Sequence, residues 1–288
     1  MALRARRLAS VVAAVVAVLA AALAGCAAPW SNTGAGPRRD APRPAPALAV
    51  RVAAPVSTPT RTAILYGDSL SFEIRQQVVF DAALGGIHLE VSAFGGLALC
   101  DRLPDMRADL ARLHPQVVVL EFAGNSFTPC MRDRTGALLK IGTPAYHDRW
   151  RADLATAIRL ANAAGARLVW ASAPVTGTAA GAANVRWLQA MAGSVVAGNP
   201  GAQVAPAGDA VLDRGAFSPR LPCLPDEGPA QGCTGGRIVV RAPDGTHFCP
   251  IDPRAIRGVV GDCPVYSSGA RRFAAAVAGV LPVRRAAS

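Results

Sequence analysis

The sequence is poor in lysine, in histidine and in aromatic residues. Its basic residues number 30, but only Lys140 is a lysine, so the formal net charge of +11 comes almost entirely from arginine. No dense basic block with interleaved aromatic side chains occurs, which excludes the pattern typical of a nucleic-acid-binding protein. The basic balance favours instead a location near an anionic membrane or an acidic glycan.

The N-terminus has the pattern of an export signal. A positive segment at Arg4–Arg7 precedes an apolar run over 8–23, which Leu23-Ala24-Gly25-Cys26 closes. These four residues resemble a bacterial lipobox, in which the cysteine is lipidated and becomes the first residue of the mature protein. We therefore predict a signal peptide over 1–25, lipidation of Cys26 and attachment to the outer face of the cell membrane. The alternative is an uncleaved anchor, since the apolar run nearly reaches spanning length.

The seven cysteines include no Cys-x-x-Cys pair of the kind that favours a zinc site. We therefore predict no metal, and no other motif implies a cofactor. With Cys26 set aside, an even number remains in a chain predicted to be exported, which favours disulfides. Six cysteines allow fifteen pairings, among which the sequence does not choose. Our working hypothesis joins neighbours along the chain: Cys100 with Cys130, Cys223 with Cys233, and Cys249 with Cys263.

Strand-like and helix-like patterns alternate after a Pro- and Ala-rich stretch. Residues 26–60 have no apolar periodicity and predict an extended tether ahead of a folded domain at 61–288. The alternation predicts a three-layer α/β domain around a parallel sheet of about five strands. From about 217 to 264 it gives way to a Pro-, Gly- and Cys-rich insertion, and long irregular stretches of this kind are usually functional. The predicted strands are 63–66, 88–94, 116–122, 167–171 and 202–205, and the predicted helices are 72–84, 103–113, 145–164, 185–196 and 267–280.

Ser69 stands at the end of the first predicted strand, within Leu65-Tyr66-Gly67-Asp68-Ser69-Leu70-Ser71. The pattern indicates a buried strand, a sharp turn and a helix. Ligands and catalytic groups collect at the carboxyl ends of parallel strands, and the first N–H groups of a helix favour negative charge. Ser69 is therefore a candidate nucleophile. A nucleophilic serine also needs a base, a group that orients the base, and donors for the oxyanion.

The candidate base is His247, which lies in the insertion within Asp244-Gly245-Thr246-His247. A turn at Gly245 would let the Asp244 carboxylate reach the imidazole. That contact would fix the tautomer and stabilise the imidazolium. The remaining histidines are predicted to be structural, because they fall in a strand pattern or near helix ends: His88, His114 and His147.

Four short blocks occur in order: Gly67-Asp68-Ser69-Leu70, a glycine after the second strand, Gly124-Asn125 after the third, and Asp244-x-x-His247. The chain here resembles the SGNH hydrolases, also called GDSL esterases and lipases, over nearly the whole domain from residue 61. The resemblance implies a flavodoxin-like three-layer α/β/α sandwich. One departure is Ser126, where the family often has aspartate. The Gly-x-Ser-x-Gly elbow of α/β-hydrolases is absent, because Ser71 occupies its last position.

The resemblance also implies roles for individual residues. It makes Ser69 the nucleophile, His247 the base and Asp244 the acid that orients the base. The implied oxyanion hole consists of the Ser69 N–H, a glycine N–H from the second block and the Asn125 side-chain amide. We assign that glycine to Gly96, with Gly95 as the alternative.

These residues predict an extracytoplasmic serine esterase that hydrolyses O-acyl esters of a glycan or a lipid through an acyl-enzyme. One alternative is an acyltransferase that moves an acyl group to or from cell-envelope glycans with the same triad. An alternative of another class is a non-catalytic lipoprotein that binds the envelope. An aromatic content of 5% and the lack of a long apolar lid argue against a long-chain lipase. The sequence chooses neither the acyl group nor the oligomeric state.

Overall fold

The computed structural model describes residues 61–250, 263 and 265–281. The predicted signal peptide, Cys26 and the tether lie outside the described residues, as does much of the end of the insertion. Within the described ranges, no helix has the length and apolar character that a membrane span requires.

A parallel sheet of five strands forms the centre of the domain. The strands are β1 (Arg61–Gly67), β2 (Ile87–Ala93), β3 (Val117–Glu121), β4 (Arg167–Ala171) and β5 (Ala202–Ala205). Their order across the sheet is β2-β1-β3-β4-β5. This is the flavodoxin-like order, so the predicted fold class is confirmed.

Helices cover both faces of the sheet, and the third strand shows why. Val117 and Val119 of β3 belong to one buried cluster, whereas Val118 and Leu120 belong to the other, because successive side chains of a strand point to opposite faces. A strand buried on both sides has a continuous apolar sequence. The helices are α1 (Ser69–Glu73), α2 (Arg75–Leu84), α3 (Leu99–Leu113), α4 (Pro144–Ala163), α5 (Ala179–Ala197) and α6 (Ser268–Ala278). Helices α2 and α6 pack in the first cluster, and α3, α4 and much of α5 pack in the second.

Strand register brings the first three sequence blocks to one edge of the sheet. Gly67 of β1 pairs with Ala93 of β2 and with Glu121 of β3. The turns that follow these three residues carry the candidate nucleophile, the two candidate glycines and the candidate amide. Parallel pairing therefore places residues that are far apart in sequence beside one another.

Three predicted helices differ by more than two residues in their bounds from the observed ones. The helix predicted over 72–84 is two helices, because Ile74 ends α1 with its N–H bonded to the Leu70 carbonyl before α2 begins. Ser69 is therefore the first residue of a five-residue helix rather than a residue ahead of a long one. Helix α3 begins four residues earlier than predicted. Helix α5 begins six residues earlier, at a cap where the Thr178 side chain accepts the Gly181 N–H.

The insertion contains two short antiparallel ribbons instead of long elements. These are β6 (Leu212–Asp213) with β7 (Ala216–Phe217), and β8 (Arg220–Pro222) with β9 (Arg237–Val239). Three disulfides are present and confirm the hypothesis of neighbouring pairs: Cys100–Cys130, Cys223–Cys233 and Cys249–Cys263.

Candidate active site

Ser69, His247 and Asp244 form a connected triad at the carboxyl edge of the sheet. His247 Nε2 lies 2.9 Å from Ser69 Oγ, and His247 Nδ1 lies 2.6 Å from Asp244 Oδ2. A carboxylate can only accept a hydrogen bond, so Nδ1 is the donor to Asp244. In the neutral imidazole this leaves Nε2 as the acceptor for the Ser69 hydroxyl. The three residues therefore have the contacts that a serine nucleophile and its base require.

The turn that carries the histidine is closed by the Asp244 carboxylate. Asp244 Oδ1 accepts the backbone N–H groups of Thr246 (2.8 Å) and His247 (3.0 Å). Gly245, between Asp244 and Thr246, has a positive φ of 71°, which a glycine adopts without strain. Burial opposes ionisation of Asp244, but the hydrogen bonds from the imidazole and the two N–H groups outweigh it and lower the pKa of the carboxyl. Asp244 is therefore held as an anion facing the imidazole.

Arg241 supports the same turn from inside the protein. It is 2% exposed, and its guanidinium donates to the Thr246 carbonyl (3.0 Å) and the Val175 carbonyl (3.1 Å). The guanidinium also lies over the rings of Phe217 and Phe248. Burial lowers the pKa of Arg241 to about 10. This side chain therefore ties the histidine turn to the loop that follows β4.

Glu73 contacts the histidine loop from the helix that carries the nucleophile. Glu73 Oε2 accepts the Phe248 N–H at 2.7 Å, and the residue is only 9% exposed. Burial raises the pKa of Glu73, with the Phe248 N–H acting in the opposite direction. A carboxylate from α1 thus binds the backbone directly after His247.

Asp68 organises the turn before the nucleophile and is fully buried. Its Oδ1 caps α1 by accepting the Leu70 N–H at 3.1 Å, and its Oδ2 accepts the Ala123 N–H at 2.8 Å and Asn125 Nδ2 at 3.1 Å. Burial raises the pKa of Asp68 to about 6, against the opposing effect of the two backbone N–H groups. The β1 turn and the β3 turn are therefore joined through one side chain.

Asn125 reaches across to the turn after β2 as well. Its Nδ2 donates to the Leu97 carbonyl at 3.0 Å in addition to Asp68, so both amide hydrogens have acceptors. To bind a substrate oxygen, Asn125 would have to share one of these N–H groups with that oxygen or release the N–H from its present acceptor. The amide nevertheless lies where the three turns meet, as its predicted role requires.

The two candidate glycines are placed differently relative to Ser69. Gly96 has a φ of +80°, and a Cβ there would come within 2.7 Å of the Phe127 ring. A Cβ at Gly95 would lie 4.0 Å from Ser69 Cβ. Gly95 therefore lies next to the nucleophile, whereas Gly96 lies against the ring of Phe127. The assignment of the oxyanion N–H to Gly96 stays a prediction.

A second buried carboxyl lies beneath the nucleophile turn. Glu121 is fully buried, and its Oε2 accepts the Ser71 hydroxyl at 2.6 Å, while its Oε1 has no partner. Burial and the negative charge of Asp68 raise the pKa of Glu121 well above the usual value. Gly67 fits between these groups because a Cβ there would lie within 3 Å of both Ser71 and the Glu121 carbonyl.

The remaining histidines have other contacts, in agreement with the structural roles predicted for them. His88 is exposed on β2, and His114 ends α3 with a positive φ of 44°. His147 stacks on Trp187 with ring centroids 3.8 Å apart. None of the three is hydrogen-bonded to Ser69 within the described part of the chain.

The described residues contain two clusters whose side chains are close enough to share a metal ion: Glu73 with Cys249 and Cys263, and Asp101 with Cys100 and Cys130. In both clusters the cysteines are joined in a disulfide. A disulfide sulfur is not the thiolate that binds metal, so one carboxylate is left as a ligand in each cluster. This chemistry does not fit a metal site.

Comparison with known proteins gives a family. The family model described as "Protein of unknown function (DUF459)" matches residues 98–260, more than half of the chain. The chain belongs to this family. The matched region includes Asn125, Asp244 and His247, whereas Ser69 precedes it. No curated protein matches the sequence.

Several solved structures are similar to this DUF459 chain. A Slackia heliotrinireducens protein described as an SGNH hydrolase is 16% identical, with a TM-score of 0.47, and the match covers 76% of this chain and 97% of that one. A lipase/acylhydrolase from Enterococcus faecalis is 18% identical, with a TM-score of 0.40 and coverages of 54% and 85%. An acetylxylan esterase mutant from Geobacillus stearothermophilus is 9% identical, with a TM-score of 0.38 and coverages of 52% and 78%. At these identities the activities of the matched proteins do not transfer to this chain.

Sequence reasoning found the triad and Asn125 but missed three buried charged residues that support them: Glu73, Glu121 and Arg241. A charged residue in an amphipathic or irregular stretch is usually solvated, so the sequence did not indicate that Glu73 and Arg241 are buried. Glu121 stands at the end of the apolar run that predicts β3, but nothing in the sequence indicated its contact with Ser71. One usable signal was the position of Glu73, four residues or about one helical turn after the candidate nucleophile.

Proposed function

We propose that this protein is a serine esterase that hydrolyses O-acyl esters through an acyl-enzyme on Ser69. The observation that carries the proposal is the continuous chain of contacts from Ser69 Oγ to His247 Nε2 (2.9 Å) and from His247 Nδ1 to Asp244 Oδ2 (2.6 Å). The side chain of His247 is 34% exposed, so the reacting atoms are accessible to a substrate.

The first half of the reaction forms the acyl-enzyme. Ser69 Oγ attacks the acyl carbonyl carbon while His247 Nε2 takes the hydroxyl proton, and Asp244 stabilises the resulting imidazolium. The tetrahedral intermediate carries its negative charge on the former carbonyl oxygen. The proton on Nε2 then passes to the departing alcohol as the bond between carbon and that alcohol breaks.

The oxyanion is stabilised by donors on the three adjoining turns. We assign these to the Ser69 N–H, the Gly96 N–H and the Asn125 side-chain amide. For Asn125 this requires the substrate oxygen to share the N–H that is bonded to the Leu97 carbonyl, since the bond to Asp68 fixes the amide from the other side.

The second half releases the acyl group. A water molecule gives a proton to His247 and attacks the acyl carbon, after which Ser69 Oγ leaves and recovers its proton. A sugar hydroxyl in place of water would make the same enzyme an acyltransferase, and the experiment below distinguishes the two.

We further propose that the enzyme acts outside the cytoplasm as a lipoprotein anchored through Cys26. The three disulfides support this location, because such bonds persist in oxidising compartments. A domain held on a tether beside the membrane would meet acylated glycans or lipids of the envelope.

The test compares residues 27–288 with the Ser69→Ala variant on a series of p-nitrophenyl esters of increasing acyl length. The expected result is hydrolysis by the wild type and its loss in the variant, with Ser194→Ala on the exposed face of α5 as the control. A glycan acceptor added to the wild type tests for transfer, since an acylated glycan product would indicate an acyltransferase. A Ser69→Ala variant that retains wild-type activity would contradict the proposed nucleophile.

A further inference from the structure

The two reacting side chains of the triad come from distant parts of the sequence. Ser69 and His247 are 178 positions apart, one at the start of α1 and the other in the insertion. Their 2.9 Å contact therefore depends on what holds the histidine loop against the nucleophile helix. A misplacement of about 1 Å at such a contact can lower turnover by about 100-fold.

One buried side chain spans these two parts directly. Glu73 lies four residues after Ser69 on α1, and its Oε2 accepts the N–H of Phe248, the residue that follows His247, at 2.7 Å. Burial raises the pKa of this carboxyl, and the Phe248 N–H opposes that shift. Phe248 is fully buried, so its N–H has no water as a substitute partner.

Other contacts hold the opposite side of the histidine loop. The Gly177 N–H donates to the Gly245 carbonyl at 2.9 Å, and Arg241 donates to the Val175 carbonyl at 3.1 Å. These bonds tie the Asp244 side of the loop to the segment after β4. They do not fix its distance from α1, which is the distance that matters for proton transfer from Ser69.

We propose that Glu73 is a positioning residue that sets the distance between Ser69 and His247 by binding the backbone after His247 from the nucleophile's own helix. The inference rests on the proposed function, because the distance between Ser69 and His247 affects turnover only if Ser69 is the nucleophile. Glu73 does not touch the reacting atoms and acts through the loop. Removing its carboxyl would leave the buried Phe248 N–H unpaired and release the loop from α1.

The experiment compares three variants of residues 27–288 with the wild type. Glu73→Leu removes the acceptor while keeping the side chain's bulk, and Glu73→Gln keeps an acceptor oxygen without the charge. The matched control is Glu227→Leu. Glu227 is also buried, and it also accepts a backbone N–H, that of Leu224 at 2.6 Å. It lies in the insertion and does not contact the triad. Each variant is assayed for kcat and KM with a short p-nitrophenyl ester, at a temperature where its unfolding curve shows it folded.

We expect Glu73→Leu to lower kcat by about 10- to 100-fold at nearly unchanged KM. Glu73→Gln should recover most of that loss, and Glu227→Leu should stay within about twofold of the wild type. The exchange of the Phe248 amide hydrogen, measured by NMR, should accelerate in Glu73→Leu and not in Glu227→Leu.

Each other outcome has a defined meaning. An active wild type with full kcat in folded Glu73→Leu would overturn the positioning role and leave the proposed function intact. Equal losses in Glu73→Leu and Glu227→Leu would show a general stability effect and would also overturn it. If Glu73→Leu does not fold, the Glu73→Gln variant decides, since a loss as large as that of Ser69→Ala would contradict a role based on an acceptor oxygen. A wild type with no ester hydrolysis would overturn the proposed function, and the positioning role with it.

Discussion

The nucleophile half of the site, formed by residues 67–71, 95–97 and 123–125, lies on turns that directly follow paired strands. The histidine half, residues 241–248, lies in the irregular insertion and is held by Arg241 and Glu73. Strand register places the first half, since Gly67 pairs with Ala93 and Glu121 at the sheet edge. The second half has no sheet to place it. The comparison shows that a site can take part of its precision from backbone pairing and part from buried charged side chains.

The largest decrease in kcat is expected for a substitution in the nucleophile half. Asn125→Ala removes the proposed oxyanion donor together with the bonds from Asn125 to Asp68 and Leu97, and should lower kcat by about 100- to 1000-fold. The matched control is Asn199→Ala, whose side chain also donates to a backbone carbonyl, that of Val195 at 2.7 Å, but at the far end of α5. Normal turnover in a folded Asn125→Ala variant would contradict the assigned role.

An intermediate decrease in kcat is expected when the disulfide next to the histidine half is removed. Replacing Cys249 and Cys263 with alanine frees the chain two residues after His247, and should lower kcat by roughly 10-fold. Replacing Cys223 and Cys233 opens a loop of similar length, 10 residues against 14, so each double variant should lose about 3 kcal/mol of stability.

The measurement is kcat beside the urea unfolding free energy for both double variants. Equal activity in the two, at equal loss of stability, would show that the histidine half does not depend on its own disulfide. The position of the histidine half would then depend on Arg241 and Glu73 and not on this disulfide.

The smallest effect concerns the buried acids of the nucleophile half. The folded Glu121 carboxyl keeps its proton to higher pH than the unfolded one, whose usual pKa is 4.5. The stability that the protonated Glu121 carboxyl contributes is therefore fully present below about pH 4.5, and it is lost as the pH rises through the raised pKa. Asp68, with a pKa raised to about 6, acts in the same direction.

In Glu121→Gln this loss should be reduced, because the glutamine cannot ionise and can still accept the Ser71 hydroxyl. Urea unfolding from pH 5 to pH 8 should show the wild type losing stability relative to the variant by at most about 1.4 kcal/mol per pH unit. Parallel pH dependences for the two proteins would contradict the raised pKa of Glu121.

The sequence was sufficient to predict the parts of the fold that repeat a simple pattern. The alternation of strand-like and helix-like patterns predicts a parallel sheet of about five strands, and the Asp-Gly turn at 244–245 predicts that the carboxylate can reach the imidazole. The strand order of the sheet and the hydrogen bond between Asp244 and His247 confirm these two predictions. The start of α5 was missed because the run from 179 to 183 consists of alanine and glycine and has no apolar periodicity.

The supporting residues could not be predicted because their roles depend on distant contacts. Arg241 is buried only because the loop after β4 supplies the Val175 carbonyl, 66 positions away. Glu73 is buried because the histidine loop packs over α1, 175 positions later. A single sequence shows neither contact, and outside this fold both side chains would be solvated.

The most direct test of the central claim is to map the acyl-enzyme. Residues 27–288 are mixed with a short p-nitrophenyl ester, quenched in acid within the first turnover, digested and examined by mass spectrometry. If Ser69 is the nucleophile, one acyl group will be found on the peptide containing Ser69, and none in Ser69→Ala. An acyl group on any other residue, or hydrolysis with no adduct in the wild type and undiminished turnover in Ser69→Ala, would contradict that assignment.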